Sequence, residues 1–147
     1  MNSGELPAWA FFIIFPVFAA FWCGMSYYLS YESGWMALAK KYRIKHTYSG
    51  EKSYLRSGKM GPTYFRSVLT IGVLPEGLYL AIIPPFNIGS PPLLIPWSKL
   101  HHIHRRKGWF LDQMVMDADD PKITTIRIDW EFSEKARVWI GYKSNDL

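Results

Sequence analysis

An uninterrupted apolar stretch near the N-terminus constrains this chain more than any other feature. No charged residue occurs from Leu6 to Tyr28. The stretch is roughly 23 residues long, and an α-helix needs roughly 20 to cross the hydrocarbon core of a bilayer. Pro16 lies in its middle and predicts a kink rather than a break, because neighbouring groups can satisfy the freed carbonyl. The sequence therefore predicts a single-pass transmembrane helix.

A cleaved signal peptide is the alternative interpretation of the same stretch. Signal peptides begin with a positive segment, have a shorter apolar core and end at a small-residue cleavage site. Here Glu5 is the only charged residue before the apolar run, so we expect the helix to be retained. The single cysteine, Cys23, lies within the run. No disulfide within the chain is therefore possible.

Aromatic and basic residues flank the run in the way expected of a membrane span. Aromatic residues mark both ends, and Lys and Arg occur only after it. Because basic residues are retained on the cytoplasmic side, we predict an inner (cytoplasmic) membrane protein with its N-terminus outside and its C-terminal domain in the cytoplasm. The predicted membrane-interface residues are Trp9, Trp22, Tyr27, Tyr28, Trp35, Lys40, Lys41, Arg43 and Lys45.

Three regions are predicted: an N-terminal segment, 1–33, with the transmembrane core at 6–28; a basic juxtamembrane amphipathic segment and linker, 34–62; and a β domain, 63–147. In the second region Trp35, Leu38 and Tyr42 fall on one helical face. This pattern predicts a short amphipathic helix at the headgroup level, or else a simple continuation of the membrane helix. Residues 46–62 are polar and glycine-rich, which indicates loops or a frayed hairpin.

The rest of the chain has the pattern of short antiparallel strands separated by Gly and Pro. Strands are predicted at 64–74, 78–83, 93–97, 100–106, 109–116 and 123–130, with an acidic turn at 117–122. The last segment fits a helix through Phe132, Ala136 and Trp139, capped by Ser133, or an alternating strand; the helix is favoured. The predicted fold class is α+β, a transmembrane helix followed by a mainly antiparallel β domain.

The run LLIPWSKL, from Leu93 to Leu100, is the most distinctive phrase in this domain. Together with the order of the short strands and the closing helix, it resembles the bacterial PH-like and GRAM-like domains. The resemblance covers roughly Tyr64 to Tyr142. It implies two packed antiparallel sheets capped by a helix, in a binding or scaffolding module without catalytic residues. The segment between Leu74 and Leu78 lacks the basic residues with which some members bind phosphoinositides.

No motif for an enzyme, a cofactor or nucleic acid is present in the sequence. His102 and His104 would share one face of a strand and could bind a transition metal, with Asp112 as the nearest carboxylate. A solvated strand face is the favoured interpretation, and we predict no metal, no cofactor and no catalytic activity. The run Arg105 to Lys107 is too short to indicate phosphate binding.

The density of aromatic residues is unusual, at 17% of the chain with seven Trp. Either these residues enlarge a small core, or some of them form an exposed interface. The candidate partner-binding residues are Trp97, Trp109, Trp130, Trp139, Arg105 and Arg106. The leading hypothesis is a non-catalytic accessory or scaffolding subunit of a larger photosynthetic, respiratory or transport complex in the membrane. The alternative is a membrane-anchored PH-like module that contacts anionic lipid headgroups or a signalling partner.

Overall fold

The computed structural model describes residues 4–44, 50–119 and 121–140. Two helices lead into an antiparallel sheet, and a third helix follows it. In chain order the elements are α1 (Ala8–Ser33), α2 (Trp35–Tyr42), β1 (Lys52–Met60), β2 (Thr63–Leu74), β3 (Gly77–Ile82), β4 (Leu93–Ile95), a 3₁₀ turn (Trp97–Lys99), β5 (Leu100–Arg106), β6 (Gln113–Ala118), β7 (Thr124–Asp129) and α3 (Glu131–Ile140).

The helix α1 is a single 26-residue element that contains Pro16. It ends because Gly34 adopts the left-handed conformation, with φ of 85°. The Gly34 N–H donates to the Tyr31 carbonyl at 3.2 Å, and α2 begins at the next residue. A Cβ at this position would lie 2.8 Å from Cβ of Thr124. Glycine is therefore required both by the turn and by the close approach of the sheet.

The seven strands form one curled antiparallel sheet in the order β4-β3-β2-β1-β7-β6-β5. Consecutive strands are neighbours within each half, as short hairpin connections require. The halves join where β1 pairs with β7, through Lys59 opposite Arg127 and Met60 opposite Ile126. β1 and β5 both carry register shifts, at residues 53–58 and 101–104. Such bulges bend a strand and help a sheet to curl.

The core fills the inside of the curl and is sealed by the two short helices. Trp35 and Leu38 of α2 are fully buried, as are Phe132 and Ala136 of α3. The Trp35 indole donates from Nε1 to the Pro91 carbonyl at 2.7 Å, and its ring packs edge-on against Phe65 at 5.9 Å. The first short helix is thus a part of the domain core.

The apolar helix, the antiparallel strands and the closing helix agree with the predicted fold class. β5 has the predicted bounds, and the chain after Trp130 is helical rather than extended. Ser133 is not a cap: the helix begins at Glu131, and the buried Ser133 side chain lies within its first turn.

One local prediction was partly right and two were wrong. Of the loops or frayed hairpin predicted at 46–62, the hairpin is present, since Lys52–Met60 is a nine-residue strand paired with β2. Its backbone completes the sheet between β2 and β7 although its side chains are mostly polar. The strand predicted at 109–116 begins only at Gln113, and Trp109 to Leu111 form a loop. The apolar face of α2, predicted to lie at the lipid headgroups, is instead buried in the domain. Residues on both sides of the predicted boundary at 62 and 63 therefore share one sheet.

Burial of Trp35 predicts that the domain depends on it. Trp35→Ala removes a fully buried indole and leaves the Pro91 carbonyl without its donor, so we expect a loss of about 3–5 kcal/mol in the free energy of unfolding. Denaturant titration of the full chain in detergent micelles measures this loss. Trp109→Ala is the matched control, because Trp109 is exposed, and should change the free energy by less than about 0.5 kcal/mol. Equal losses in the two variants would contradict the assignment of Trp35 to the core.

Candidate functional site

Within the described residues, α1 is the one helix that is long and apolar enough to cross a membrane. Of its side chains only those of Ala10, Ser30 and Ser33 are buried. Its large apolar side chains, such as Phe12 and Phe15, point outward into the surroundings. An apolar surface of this length is typical of helices that lie in lipid or pack against another protein. The exposed surface of α1 is therefore the first candidate interface.

The C-terminal half of α1 packs on the β domain through the loop between β3 and β4, residues 83–92. The Trp22 indole donates from Nε1 to the Pro85 carbonyl at 3.1 Å, and its ring lies 5.1 Å from that of Phe86. Further along, the Ser30 hydroxyl donates to the Gly89 carbonyl at 2.6 Å. The sequence did not predict this contact, because prolines in a loop show that a strand is interrupted but not where the loop packs.

The start of α2 is fixed by the sheet as well. Oγ1 of Thr124, the first residue of β7, donates to the Ser33 carbonyl at 2.8 Å. The backbone N–H of Trp35 donates to the Ser33 hydroxyl at 3.2 Å. The helix end, the loop after β3 and the start of β7 thus meet at one junction. α1 is held at several points rather than through a flexible connection.

A second set of contacts ties α2 to the turn between β6 and β7. Asp119 is buried, and its Oδ2 lies 2.6 Å from Nζ of Lys41. Its backbone N–H donates to the Lys99 carbonyl at 2.7 Å, in the 3₁₀ turn just before β5. The Tyr42 hydroxyl donates to the same carboxylate. Sequence reasoning assigned Asp119 to an acidic turn, and its pairing with α2 depends on tertiary contacts that no local pattern shows.

The predicted basic residues near α1 therefore have different environments. Lys40, Lys41 and Arg43 are all exposed. Lys41 is engaged by Asp119, whereas Lys40 and Arg43 have no ion-pair partner among residues 4–44, 50–119 and 121–140. Lys40 and Arg43 instead line an open cleft of about 510 Å³ between α2 and the loop 87–91. Lys45 lies outside the described residues.

The predicted aromatic interface residues also separate into two groups. Trp9, Tyr27 and Tyr28 are exposed on α1, while Trp22 is half-buried against the loop after β3. Trp35 cannot contact lipid, because it lies in the core.

The second candidate interface is the loop between β5 and β6. Trp109, Phe110 and Leu111 are 92%, 89% and 68% exposed, at the end of β6 opposite the turn that holds Asp119. We call these three residues the apolar tip. Three neighbouring apolar side chains so exposed to water are unfavourable in isolation, and such patches commonly mark contact sites. Outside α1, Trp109 and Phe110 are the most exposed large apolar side chains in the described part of the chain.

Arg105 stabilises the base of the apolar tip through an ion pair and a contact with an aromatic ring. The Arg105 guanidinium pairs with the Asp112 carboxylate, with Nε at 2.8 Å from Oδ2, and lies 5.1 Å from the centre of the Trp130 ring. The strands on either side of the loop are thereby held together while the tip itself projects. Arg106 and Lys107, next to the tip, are exposed.

Four of the six predicted partner-binding residues lie at or next to the apolar tip, namely Arg105, Arg106, Trp109 and Trp130. Trp97 was wrongly included: it is buried, and its Nε1 donates to the Leu74 carbonyl at 2.8 Å. Trp130 is half-buried beneath Arg105, and Trp139 lies partly exposed on α3. Trp109 is thus the predicted tryptophan with the greatest exposure. Phe110 and Leu111 were not predicted as interface residues, because an apolar run next to a strand is assigned to the strand itself.

The histidines of β5 do not form the face that regular alternation predicts. The strand bulges between His101 and His104, and His102 has φ of 53°. Nδ1 of His104 lies 2.8 Å from the His102 carbonyl. In residues 4–44, 50–119 and 121–140 no group of three or more His, Cys, Asp or Glu side chains is close enough to hold a metal ion.

No family model, curated protein or solved structure matches the chain. Any functional argument therefore depends on the geometry of the two interfaces.

The contact between Tyr42 and Asp119 predicts a measurable titration. Burial, the hydrogen bond to Asp119 and the negative charge of that carboxylate raise the pKa of Tyr42 from 10.0 to about 12. Because the pKa is raised in the folded state, the neutral phenol stabilises the fold fully below pH 10, and this contribution is lost as pH rises toward 12.

Asp119→Asn should lower the pKa of Tyr42, but only part of the way to 10.0, since burial is the largest cause and remains. The tyrosinate absorbance of each protein, minus that of its Tyr42→Phe counterpart, isolates this group. An unchanged Tyr42 titration in Asp119→Asn would show that the carboxylate does not contact the phenol.

Proposed function

We propose that this chain is a non-catalytic, single-pass accessory subunit that docks on a larger membrane protein complex. The observation that carries the proposal is the apolar tip, three consecutive large side chains held away from the core. An isolated soluble domain gains nothing from this exposure, whereas a docked one buries aromatic area where interfaces gain most of their binding energy. Photosynthetic, respiratory and transport complexes are all suitable hosts.

The anchor supports the same proposal. α1 offers an apolar surface to lipid or to neighbouring transmembrane helices, and its end is fixed to the domain through Ser30, Ser33 and Trp35. A rigid connection presents the domain to a partner in one orientation, which lowers the entropic cost of docking. The charged and polar groups near the apolar tip, Arg106 and Lys107, would lie at the rim of the contact.

We propose in addition that the β domain is PH-like. Support comes from a curled antiparallel sheet of seven strands, in two groups joined by β1 and β7, with a closing helix packed in the core through Phe132 and Ala136. In the resembling PH-like and GRAM-like domains this arrangement serves as a scaffold for binding. It fits a docking subunit and assigns no residue a catalytic role.

Docking is tested by mild-detergent extraction and native electrophoresis. The wild-type chain should migrate with a complex much larger than itself. The double variant Trp109→Ser, Phe110→Ser should migrate as the free chain, because the contact loses its two most exposed aromatic groups. Tyr54→Ser, Leu55→Ser is the matched control, an exposed aromatic and aliphatic pair on β1, and should stay with the complex.

Two results would overturn the docking proposal. The first is a wild-type chain that migrates alone. The second is a tip variant that stays with the complex although its circular dichroism shows an intact fold.

The alternative function is contact with anionic lipid headgroups, and one observation favours it. Lys40 and Arg43 line an exposed cleft beside the end of α1 and have no carboxylate partner in the described residues. Near an anionic leaflet each such cation contributes about 1 kcal/mol. In the same experiment this alternative predicts a free chain that co-purifies with anionic lipid. Lys40→Ala, Arg43→Ala should then reduce the bound lipid, while the tip variant should not.

We propose that the β domain lies on the cytoplasmic side of the inner membrane. The exposed cations Lys40, Lys41 and Arg43 follow α1, and the single charge before it is that of Glu5. Protease added outside intact cells should therefore leave the β domain uncut, and should cut it after the membrane is permeabilised. Digestion in intact cells would reverse the proposed orientation.

A further inference from the structure

The loop between β3 and β4 is packed against α1 at a level that the bilayer itself should occupy. Pro85 and Phe86 contact Trp22, which is 14 residues after the start of α1 at Ala8. At 1.5 Å per residue, about 21 Å of helix separates Ala8 from Trp22. The hydrocarbon core of a bilayer is about 30 Å thick.

Comparison of the helix length from Ala8 to Trp22 with the thickness of the hydrocarbon core places the loop inside the membrane. If the N-terminal end of α1 is at one hydrocarbon boundary, Trp22 lies about 9 Å short of the other. Helix tilt shortens the projected length and places Trp22 deeper still. The alternative is to leave Trp22 and its loop in water. About 21 Å of helix would then remain to span the membrane, at the cost of thinning the bilayer.

The composition of the loop fits this depth. No charged residue occurs between Glu76 and Lys99. Pro84, Pro85 and Phe86, opposite Trp22, are exposed to the surroundings, and the Phe86 side chain is 42% exposed although it touches the helix. Two prolines carry no backbone N–H, so this part of the loop has fewer donors to satisfy in an apolar environment.

Cationic groups lie beside the loop and beyond it. Arg66 is exposed and lines a cavity of about 170 Å³ together with Phe86 of the loop and with Ser26 and Ser30, which are 4 and 8 residues after Trp22 on α1. These positions are about 6–12 Å further along the helix axis. Lys40 and Arg43 lie beyond the end of α1 and line the cleft with Gly89 and Pro91, the later part of the loop. Lys40 and Arg43 thus lie where headgroups are expected, and the long side chain of Arg66 can extend toward the same level from beside Phe86.

We infer that the loop 83–88 is a second membrane-inserted element, which enters the lipid layer beside α1 with Pro84, Pro85 and Phe86 among the acyl chains. The inference rests on the proposed membrane position of α1. Its partner is the lipid bilayer itself. The chain is then anchored by α1, which spans the membrane, and by the loop 83–88. This loop inserts from the side of the domain, about 5–10 Å below the headgroups.

Site-directed spin labelling of the full chain in phospholipid vesicles tests the depth of this loop. Cys23→Ser removes the single cysteine, and Phe86→Cys or Asn87→Cys then introduces a label in the loop. Phe12→Cys, on the exposed face of α1, and Trp109→Cys, in the apolar tip, are the controls for deep and aqueous positions. Collision rates with oxygen report lipid, and those with a water-soluble nickel chelate report water.

The expected order of depth is Phe12 deepest, the loop labels intermediate and Trp109 in water. Asn87→Cys keeps the contact between Trp22 and Phe86, so a loosened loop in the Phe86 variant would not obscure the result. If Phe12 is deep but both loop labels match Trp109, the loop inference is wrong and the anchor stands. Loop labels shielded from both reagents would show a protein contact and also overturn it. If Phe12 itself is aqueous, the membrane anchor fails first.

Discussion

The structure depends on the way in which α1 is joined to the sheet. Gly34 turns the chain in a single residue, and Thr124 then binds the Ser33 carbonyl while Trp35 enters the core. The helix end is thus continuous with the packed interior of the domain, and no flexible segment separates the two. Burial of Trp35 and Leu38 makes this junction part of the same cooperative unit as the sheet.

This continuity explains why the basic residues after α1 have more than one role. Lys41 pairs with the buried Asp119, and so connects α2 to the far half of the curled sheet. Lys40 and Arg43, on either side of it in sequence, face solvent beside the loop 87–91. Net charge alone does not separate a cation that holds the fold together from one that remains exposed to solvent. The distinction comes from a single carboxylate that is 78 residues away in sequence from Lys41.

The sequence predicted those elements whose side chains carry their own evidence. In β7 buried and half-buried residues alternate along the strand, as the alternation of Ile126 and Ile128 with Arg127 and Asp129 indicated. β1 was predicted only as loops or a frayed hairpin, because its place in the sheet depends on backbone pairing with β2 and β7, which its polar side chains do not reveal. For α2 the apolar face was recognised, but a hydrophobic pattern does not tell whether lipid or protein covers it. The apolar tip was assigned to a strand for a related reason, since exposure is a property of the fold.

The short turn at Gly34 also determines how the domain can move. A domain on a long linker explores a volume above the membrane, and its surface meets partners at many heights and angles. Here Gly34 is a single residue between two helices that both pack on the sheet. With α1 across a bilayer, as proposed, the remaining motions are lateral diffusion and rotation about the membrane normal. The tip between β5 and β6 would then stay at one fixed distance from the lipid, and a partner would have to present its own surface at that height.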